Sequence, residues 1–200
     1  MGRRVKQIKL ILLYLKYDFM ILVKNKRCSI EKLLKEYPGC VIIDVTSKGD
    51  EEWKKLSPFY PHGGVPVPFS EGISSMSVEG IWQGLKVFET EGIDRSSFLN
   101  SRMKGIKRTV RTRGRCLGHK RGVNGTELLG YIEARKQIYL PSYFWMLENK
   151  CADQIKKIRV MSQTRPLILL DYDTNADIDN PSKPLSHASL ICRFIETSSK

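Results

Sequence analysis

A carboxylate, an amide and an amine recur at helical spacing between Ser77 and Phe88. They are Glu79, Gln83 and Lys86. On an α-helix they fall within about 60° of one another, on a stripe that borders the apolar face. A carboxylate and an amine on one stripe can stabilise a positive charge and move a proton during bond cleavage. The alternative is a solvated stripe with only a weak attraction between the two charges.

Two glycines, Gly80 and Gly84, lie inside the same predicted helix. Each costs about 1 kcal/mol relative to alanine. Such a cost favours close approach of another backbone or of a ligand. We therefore expect Glu79 and Lys86 to open into one cleft, with the Pro/Gly-rich loop Ser57–Pro68 as its other wall.

The net charge of +13 is concentrated in two segments of the chain. Residues 1–27 carry eight Lys and Arg against one acid, and residues 95–122 carry ten Lys and Arg and no acid. Arginines in Lys104–Arg115 suit phosphate oxygens, which a guanidinium can bind through two hydrogen bonds. This segment predicts contact with phosphate or nucleic acid, or else a solvated basic face.

Acidic and amide side chains alternate in Asp171–Asn180, as they do in an EF-hand calcium loop. Ala176 and Ser182 occupy the positions of the required glycine and the closing glutamate, which argues against calcium. A loop that presents polar groups to a site and a plain turn-rich loop are the two interpretations left. The side chains expected to face a site are those of Asp171, Asp173 and Asn175.

Several chemical classes are not indicated by the motifs. His62, His119 and His187 show no metal-ligand spacing, and there is no nucleophile elbow, Walker loop or dinucleotide fingerprint. The five cysteines are odd in number and scattered, which fits neither a disulfide framework nor a zinc set. We expect a cytoplasmic protein with reduced thiols, no metal and no cofactor.

The apolar run Leu10–Val23 is interrupted by Lys16 and Asp18, so it does not predict a membrane span. A signal peptide is the competing interpretation, but no small-residue cleavage site follows the run. We therefore interpret residues 1–19 as a basic appendage and residues 20–200 as a single domain. No membrane partner is expected.

The pattern of apolar and turn-forming residues predicts a mostly helical α+β domain with few short strands. The Ser77 helix is expected to run to about Glu89. The organised pattern begins at Ile21–Val23. The predicted strands are Cys40–Val45 and Pro166–Leu170, and the other predicted helices are Ser29–Tyr37, Thr126–Tyr139, Ser142–Gln163 and Ser186–Glu196.

The chain resembles the NADAR family (NAD- and ADP-ribose-associated proteins). In that family a Leu/Phe-Ser-Asn-Phe loop precedes a Ser-Glu-His helix that ends in Gln-Ala-x-Lys-Phe. Pro58 stands here where the family has Asn, and Gly80 where it has His. The matching pieces are Leu56–Tyr60, Ser77–Glu79, Gln83, Lys86–Phe88 and the basic segment Met103–Arg115.

The resemblance implies a NADAR-like fold and an N-glycosidase that cleaves a ribose-to-nitrogen bond. The implied substrates are phosphorylated and nucleotide-like: ADP-ribosylated guanine, including modified nucleic acid, or a riboflavin-pathway intermediate. Glu79 would stabilise the sugar cation, and Lys86 would be an electrostatic clamp or a Schiff-base nucleophile. Implied phosphate ligands are Arg108, Arg111 and Arg113, with Phe59, Tyr60 and Trp82 against a base and Gln83 beneath the ribose; core packing is favoured for Trp82 and Phe88.

Two other functions compete with the enzymatic one. One is a non-catalytic nucleic-acid-binding module that uses the basic segments. The other is an inactive relative that binds ADP-ribose, which the glycine at position 80 suggests. Sequence alone leaves the oligomeric state open.

Overall fold

The described part of the chain, residues 20–198 of the computed structural model, alternates short strands with helices. The predicted appendage 1–19 lies outside the described residues. The arrangement is α+β, as the sequence predicts. The strands are β1 (Ile21–Asn25), β2 (Val41–Asp44), β3 (Val65–Pro66), β4 (Ser74–Ser75), β5 (Lys86–Phe88), β6 (Cys116–Lys120), β7 (Leu128–Leu129) and β8 (Leu167–Asp171). The helices are α1 (Ile30–Glu36), α2 (Val78–Gly84), α3 (Val110–Arg113), α4 (Tyr131–Ala134), α5 (Leu140–Lys150), α6 (Ala152–Thr164) and α7 (His187–Thr197), with 3-10 turns at Trp53–Leu56 and Arg95–Leu99 and a π-turn at Arg135–Tyr139.

A small parallel sheet in the order β1–β8–β2 lies at the centre of the fold. Every residue of β8 is buried, because the strand has a neighbour on each edge and α6 and α7 pack against it. Its run of Leu and Ile residues is typical of such a position. Parallel strands end at one edge of their sheet, so Asp44 and Asp171 both lie at the carboxyl edge. Two small antiparallel sheets, β3–β4 and β5–β6–β7, complete the strands.

The helix predicted over Ser77–Glu89 is shorter than expected. It ends at Gly84, and Lys86–Phe88 form β5, which pairs with β6. The chain extends there because β6 offers backbone partners and because β-branched Val87 favours an extended conformation. The helical register therefore holds for the first two members of the polar stripe and is wrong for Lys86.

The two helices predicted on either side of Pro141 are one continuous helical run, and the residues before it form β7 instead of helix. The π-turn ends at Tyr139, two residues before the proline, and the N–H of Leu140 donates to the carbonyl of Arg135, five residues earlier. This shift in the hydrogen-bond ladder accommodates the proline, which has no N–H to donate. The second predicted helix is interrupted at Cys151, between α5 and α6.

Helices α1 and α7 confirm the sequence predictions. Ser29 and Ser186 are their N-caps, and the Ser186 hydroxyl accepts a hydrogen bond from the N–H of Ser189 at 3.1 Å. A serine at this position satisfies a helix N–H that has no partner within the helix. Within residues 20–198 no helix is long and apolar enough to cross a membrane.

The close approach expected at the two glycines of α2 is made by the 3-10 turn Arg95–Leu99, not by a ligand. A Cβ at Gly80 would lie 2.8 Å from the carbonyl oxygen of Ser97. A Cβ at Gly84 would overlap the ring of Phe98 and lie 3.0 Å from the carbonyl oxygen of Asp94. The glycines thus let this turn seat α2 in the core.

Gly84→Ala is expected to lower the free energy of unfolding by about 1–3 kcal/mol, since the added methyl overlaps a buried ring. Chemical denaturation of both proteins measures the loss. Gly92→Ala is the matched control, because a Cβ at Gly92 meets no atom within 4 Å. Equal stability of the two variants would contradict the close approach.

Candidate active site

A cavity of about 340 Å³ opens beside helix α2. Its walls come from α2, β5, the loop that follows the first 3-10 turn, the segment 107–109, the run from α4 through the π-turn, and residues 184–187. Residues distant in sequence therefore share one space. The lining residues are Pro58, Phe59, Glu79, Trp82, Gln83, Lys86, Lys107, Arg108, Thr109, Tyr131, Arg135, Tyr139, Pro184, Leu185 and His187.

Glu79 is the only acidic side chain among these described lining residues. It lies in the first turn of α2, where the Ser77 hydroxyl caps the helix by accepting from the N–H of Gly80. The backbone N–H of Glu79 donates to the carbonyl of Pro58 at 2.8 Å, which joins the helix to the loop. The residue is only 6% exposed, so its carboxylate is largely removed from bulk solvent.

The amide of Gln83 joins the carboxylate to the amine. Its oxygen accepts from the backbone N–H of Arg108 at 3.0 Å, and an N–H can only donate, so the orientation of the amide is determined. Its nitrogen therefore donates to Glu79 Oε1 at 2.7 Å, while Lys86 Nζ donates to its oxygen at 3.0 Å. Gln83 thus positions the other two groups and is not free to lie beneath a ribose.

Glu79 and Lys86 lie on the same cavity, as the sequence predicts, although Lys86 reaches it from β5. Burial raises the pKa of Glu79, against the opposing effects of the Gln83 hydrogen bond and the Lys86 charge. Burial lowers the pKa of Lys86, against the opposing charge of Glu79. Removal from water thus disfavours both charges, as is common for acid–base groups in active sites.

Arg108 lines the cavity, but both terminal nitrogens of its guanidinium are occupied by the protein. Nη1 donates to the carbonyls of Gln83 and Lys86 at 3.0 and 2.8 Å, and Nη2 donates to that of Gly92 at 2.6 Å and pairs with Glu91 at 3.1 Å. The side chain is 5% exposed. Arg108 therefore ties β5 to the basic segment, and the structure leaves it no terminal N–H for a phosphate.

Two other predicted phosphate ligands and one predicted aromatic lie outside the cavity lining. Arg111 is exposed on α3, and Arg113 pairs with Glu91. Tyr60 packs on the ring of His62, with centroids 4.7 Å apart. Phe59 does line the cavity, together with Pro58, so the predicted loop forms part of its wall.

The polar side chains of the loop after β8 do not line the cavity either. Asp171 accepts from the Ser186 hydroxyl and the N–H groups of Tyr172 and Ala188, and so organises the start of α7. Asn175 closes its own loop through the carbonyl of Asp177. Asp173 is half-buried away from the lining. In residues 20–198, no three His, Cys, Asp or Glu side chains are placed to hold a metal ion.

A family model described as a family of unknown function (DUF6939) matches residues 25–191. The chain belongs to the DUF6939 family. The matched range contains every residue that lines the cavity. No curated protein and no solved structure matches the chain.

His187 is a cavity residue of this DUF6939 chain that sequence reasoning missed. Its Nδ1 lies 3.0 Å from Asp171 Oδ2, and its Nε2 lies 2.8 Å from the carbonyl oxygen of Val45. Both partners are acceptors, so this geometry favours a proton on each ring nitrogen and hence the charged form of the ring. Burial lowers the pKa of His187, but the hydrogen bond and charge of Asp171 outweigh it, and the net pKa is raised. No residue spacing in the sequence predicts this long-range contact.

The remaining wall is aromatic and was only partly foreseen. Trp82 belongs to the core, as predicted, and also borders the cavity. Its ring lies 3.8 Å from that of His119, 5.5 Å from that of Tyr139 and 5.9 Å from that of Tyr131, between centroids. Burial lowers the pKa of His119 to about 3, so this histidine is neutral and behaves as packing. Phe88 is buried, as expected.

Proposed function

We propose that the protein is an N-glycosidase that cleaves a ribose-to-nitrogen bond in a phosphorylated, nucleotide-like substrate. One observation carries the proposal: a buried carboxylate, Glu79, is held by an oriented amide beside the amine of Lys86 on a cavity of about 340 Å³. Cleavage of such a bond builds positive charge on the sugar, and a carboxylate that is buried from bulk water stabilises that charge strongly.

The reaction is the addition of water across the bond. The ribose-to-nitrogen bond breaks as positive charge builds at the anomeric carbon, and a water oxygen bonds to that carbon. The free Oε2 of Glu79 takes a proton from this water, since Oε1 is occupied by Gln83. The leaving nitrogen takes up a proton from solvent, and Glu79 returns to solvent the proton that it took from the water, so the net reaction consumes one water molecule. Lys86 acts as an ammonium clamp on the oxygen atoms of the sugar.

The NADAR resemblance supports the same chemistry, and one of the two departures from the family pattern has a steric reason. The histidine usual in that family has no room at position 80, because a Cβ there already meets Ser97 and Ser75. Lys107 replaces the predicted arginines as the phosphate ligand in this proposal. It is exposed, lines the cavity and places Nζ 5.6 Å from the centroid of the Phe59 ring.

We expect Lys86→Met to lower kcat by about 10²-fold, because the sugar is then no longer held in the correct orientation beside Glu79. A clamp must be protonated, so wild-type activity falls as pH rises through the lowered pKa of Lys86. A pH–rate profile measures this limb. Activity that instead rises through that pKa, or a sugar trapped on Lys86 by borohydride, would identify the amine as the nucleophile and exclude the clamp.

The decisive assay incubates the purified protein with ADP-ribosylated DNA and, separately, with phosphorylated riboflavin-pathway intermediates. Release of base and sugar phosphate is followed by chromatography with mass detection. Glu79→Gln is the inactive comparison, and Glu148→Gln, which changes an exposed carboxylate outside the lining, is the matched control. Binding of these compounds without any release would replace the enzyme with a binding module.

We also place the protein in the cytoplasm. All five cysteines are free thiols, and none is paired in a disulfide. Burial raises the pKa of Cys151 and of Cys192 to about 12, so these two thiols are unreactive. A reducing compartment fits this set of cysteines.

A further inference from the structure

Tyr131 is the large aromatic side chain that the cavity leaves most accessible. It is 42% exposed, although it borders the same space as the buried Trp82. The neighbouring Tyr139 is half-buried and stacks on Tyr143. An exposed tyrosine in a cavity wall has one ring face available to a ligand.

The other face of Tyr131 is backed by a buried cation. The guanidinium carbon of Arg135 lies 4.3 Å from the ring centroid, and Nη2 donates to the tyrosine hydroxyl at 2.9 Å. The remaining terminal N–H groups of Arg135 donate to the carbonyls of Ile178, Asn180 and Lys183. Ring and loop are thus held by one side chain, which preorganises the tyrosine.

Holding the Tyr131 ring through the buried charge of Arg135 is unfavourable for the stability of the fold. Its side chain is 2% exposed, and no carboxylate in residues 20–198 forms an ion pair with it. A buried charge without an opposite partner is unfavourable for stability, so it persists only where something else requires it. It also begins the π-turn, an element that occurs often at functional sites. These features point to function at Tyr131 rather than to core packing.

We propose that Tyr131, positioned by Arg135, is the stacking surface for a planar aromatic leaving group. This rests on the proposed N-glycosidase activity, in which Glu79 and Lys86 hold the sugar. Besides the charged groups, the cavity lining contains apolar and aromatic side chains, among them Pro184, Leu185 and Tyr131. A heteroaromatic base fits such a wall, whereas a flexible amide leaving group forms no stack. Tyr131 therefore selects substrates by the planarity of the group that departs.

The test measures binding and does not require turnover. Adenosine 5′-monophosphate and ribose 5-phosphate are titrated into the full chain, and dissociation constants are obtained by calorimetry. The wild type is expected to bind the nucleotide more tightly. Tyr131→Leu should weaken nucleotide binding about tenfold and leave ribose 5-phosphate within about twofold. Tyr172→Leu is the matched control, because Tyr172 is also exposed and lies beside a lysine, yet does not line the cavity.

Three results would overturn the inference: no preference of the wild type for the nucleotide, no effect of Tyr131→Leu, or an equal loss for both ligands. Tyr131→Phe keeps the ring and loses only the bond to Arg135, so it should retain most of the preference. A Tyr131-dependent preference in a protein that cleaves no ribose-to-nitrogen bond would support the stacking surface and reject the proposed activity. Cleavage that is unaffected by Tyr131→Leu would support the proposed activity and reject the stacking surface.

Discussion

Replacement of Glu79 by glutamine is expected to reduce turnover by about 10³-fold while ligand binding changes little. The amide is nearly isosteric, and its oxygen can still accept the hydrogen bond from Gln83. Only the negative charge is lost, and that charge is needed as the bond breaks, not when the substrate binds. Steady-state kinetics would show the loss in kcat with KM nearly unchanged.

The same substitution is expected to stabilise the protein. Burial raises the pKa of Glu79 in the folded state, so ionisation of this carboxyl opposes folding. The free energy of unfolding of the wild type therefore falls as pH rises from the ordinary carboxyl value of 4.5 through the raised folded value. Glutamine cannot ionise, so its gain in thermal stability should be present near about pH 8 and shrink towards about pH 4.

Glu148→Gln controls for the loss of one negative charge at the surface. It should change neither kcat nor the melting temperature appreciably. A Glu79→Gln protein that is less stable than the wild type, or that retains turnover within about tenfold, would assign Glu79 to packing and remove it from the chemistry. The opposite changes in stability and activity are expected for a strained catalytic group.

Arg108→Ala is expected to lower the free energy of unfolding by about 3 kcal/mol. The substitution leaves three carbonyl oxygens without their charged donor and removes a contact with the ring of Phe88. Arg111→Ala is the matched control: it lies three residues further on, is exposed and should change stability by less than about 0.5 kcal/mol. Urea denaturation of the two variants measures the difference.

This comparison separates two roles that a run of arginines can have. If Arg108 were a phosphate ligand, its removal would weaken binding and leave the fold stable. The structure predicts instead that removal of Arg108 mainly destabilises the fold. A stable Arg108→Ala protein with poor affinity for phosphorylated ligands would restore the assignment made from the sequence.

Sequence patterns were sufficient where the determining contacts are local. Serine N-caps mark the starts of α1, α2 and α7, and the apolar run of β8 marks the central strand. Glu79 and Gln83 meet because residues four apart face one another on a helix. Their hydrogen bond follows from spacing alone.

The position of Lys86 beside Glu79 was predicted correctly, but from an incorrect secondary structure. Helical periodicity put it beside Glu79, but the helix ends at Gly84 and the side chain comes from β5. The end of the helix depends on pairing with β6, about thirty residues later in the chain. Intrinsic preference is a weak constraint beside such a tertiary contact.

The remaining features of the site were decided by tertiary structure alone. Folding brings His187 to Val45, and Arg135 to the carbonyls of residues 178–183. It also turns Arg108 inward while Arg111 stays in water. The two arginines differ in burial because only Arg108, once removed from solvent, finds carbonyl groups of other elements that accept its hydrogen bonds. A sequence states which charges exist, but burial determines which of them are free to meet a ligand.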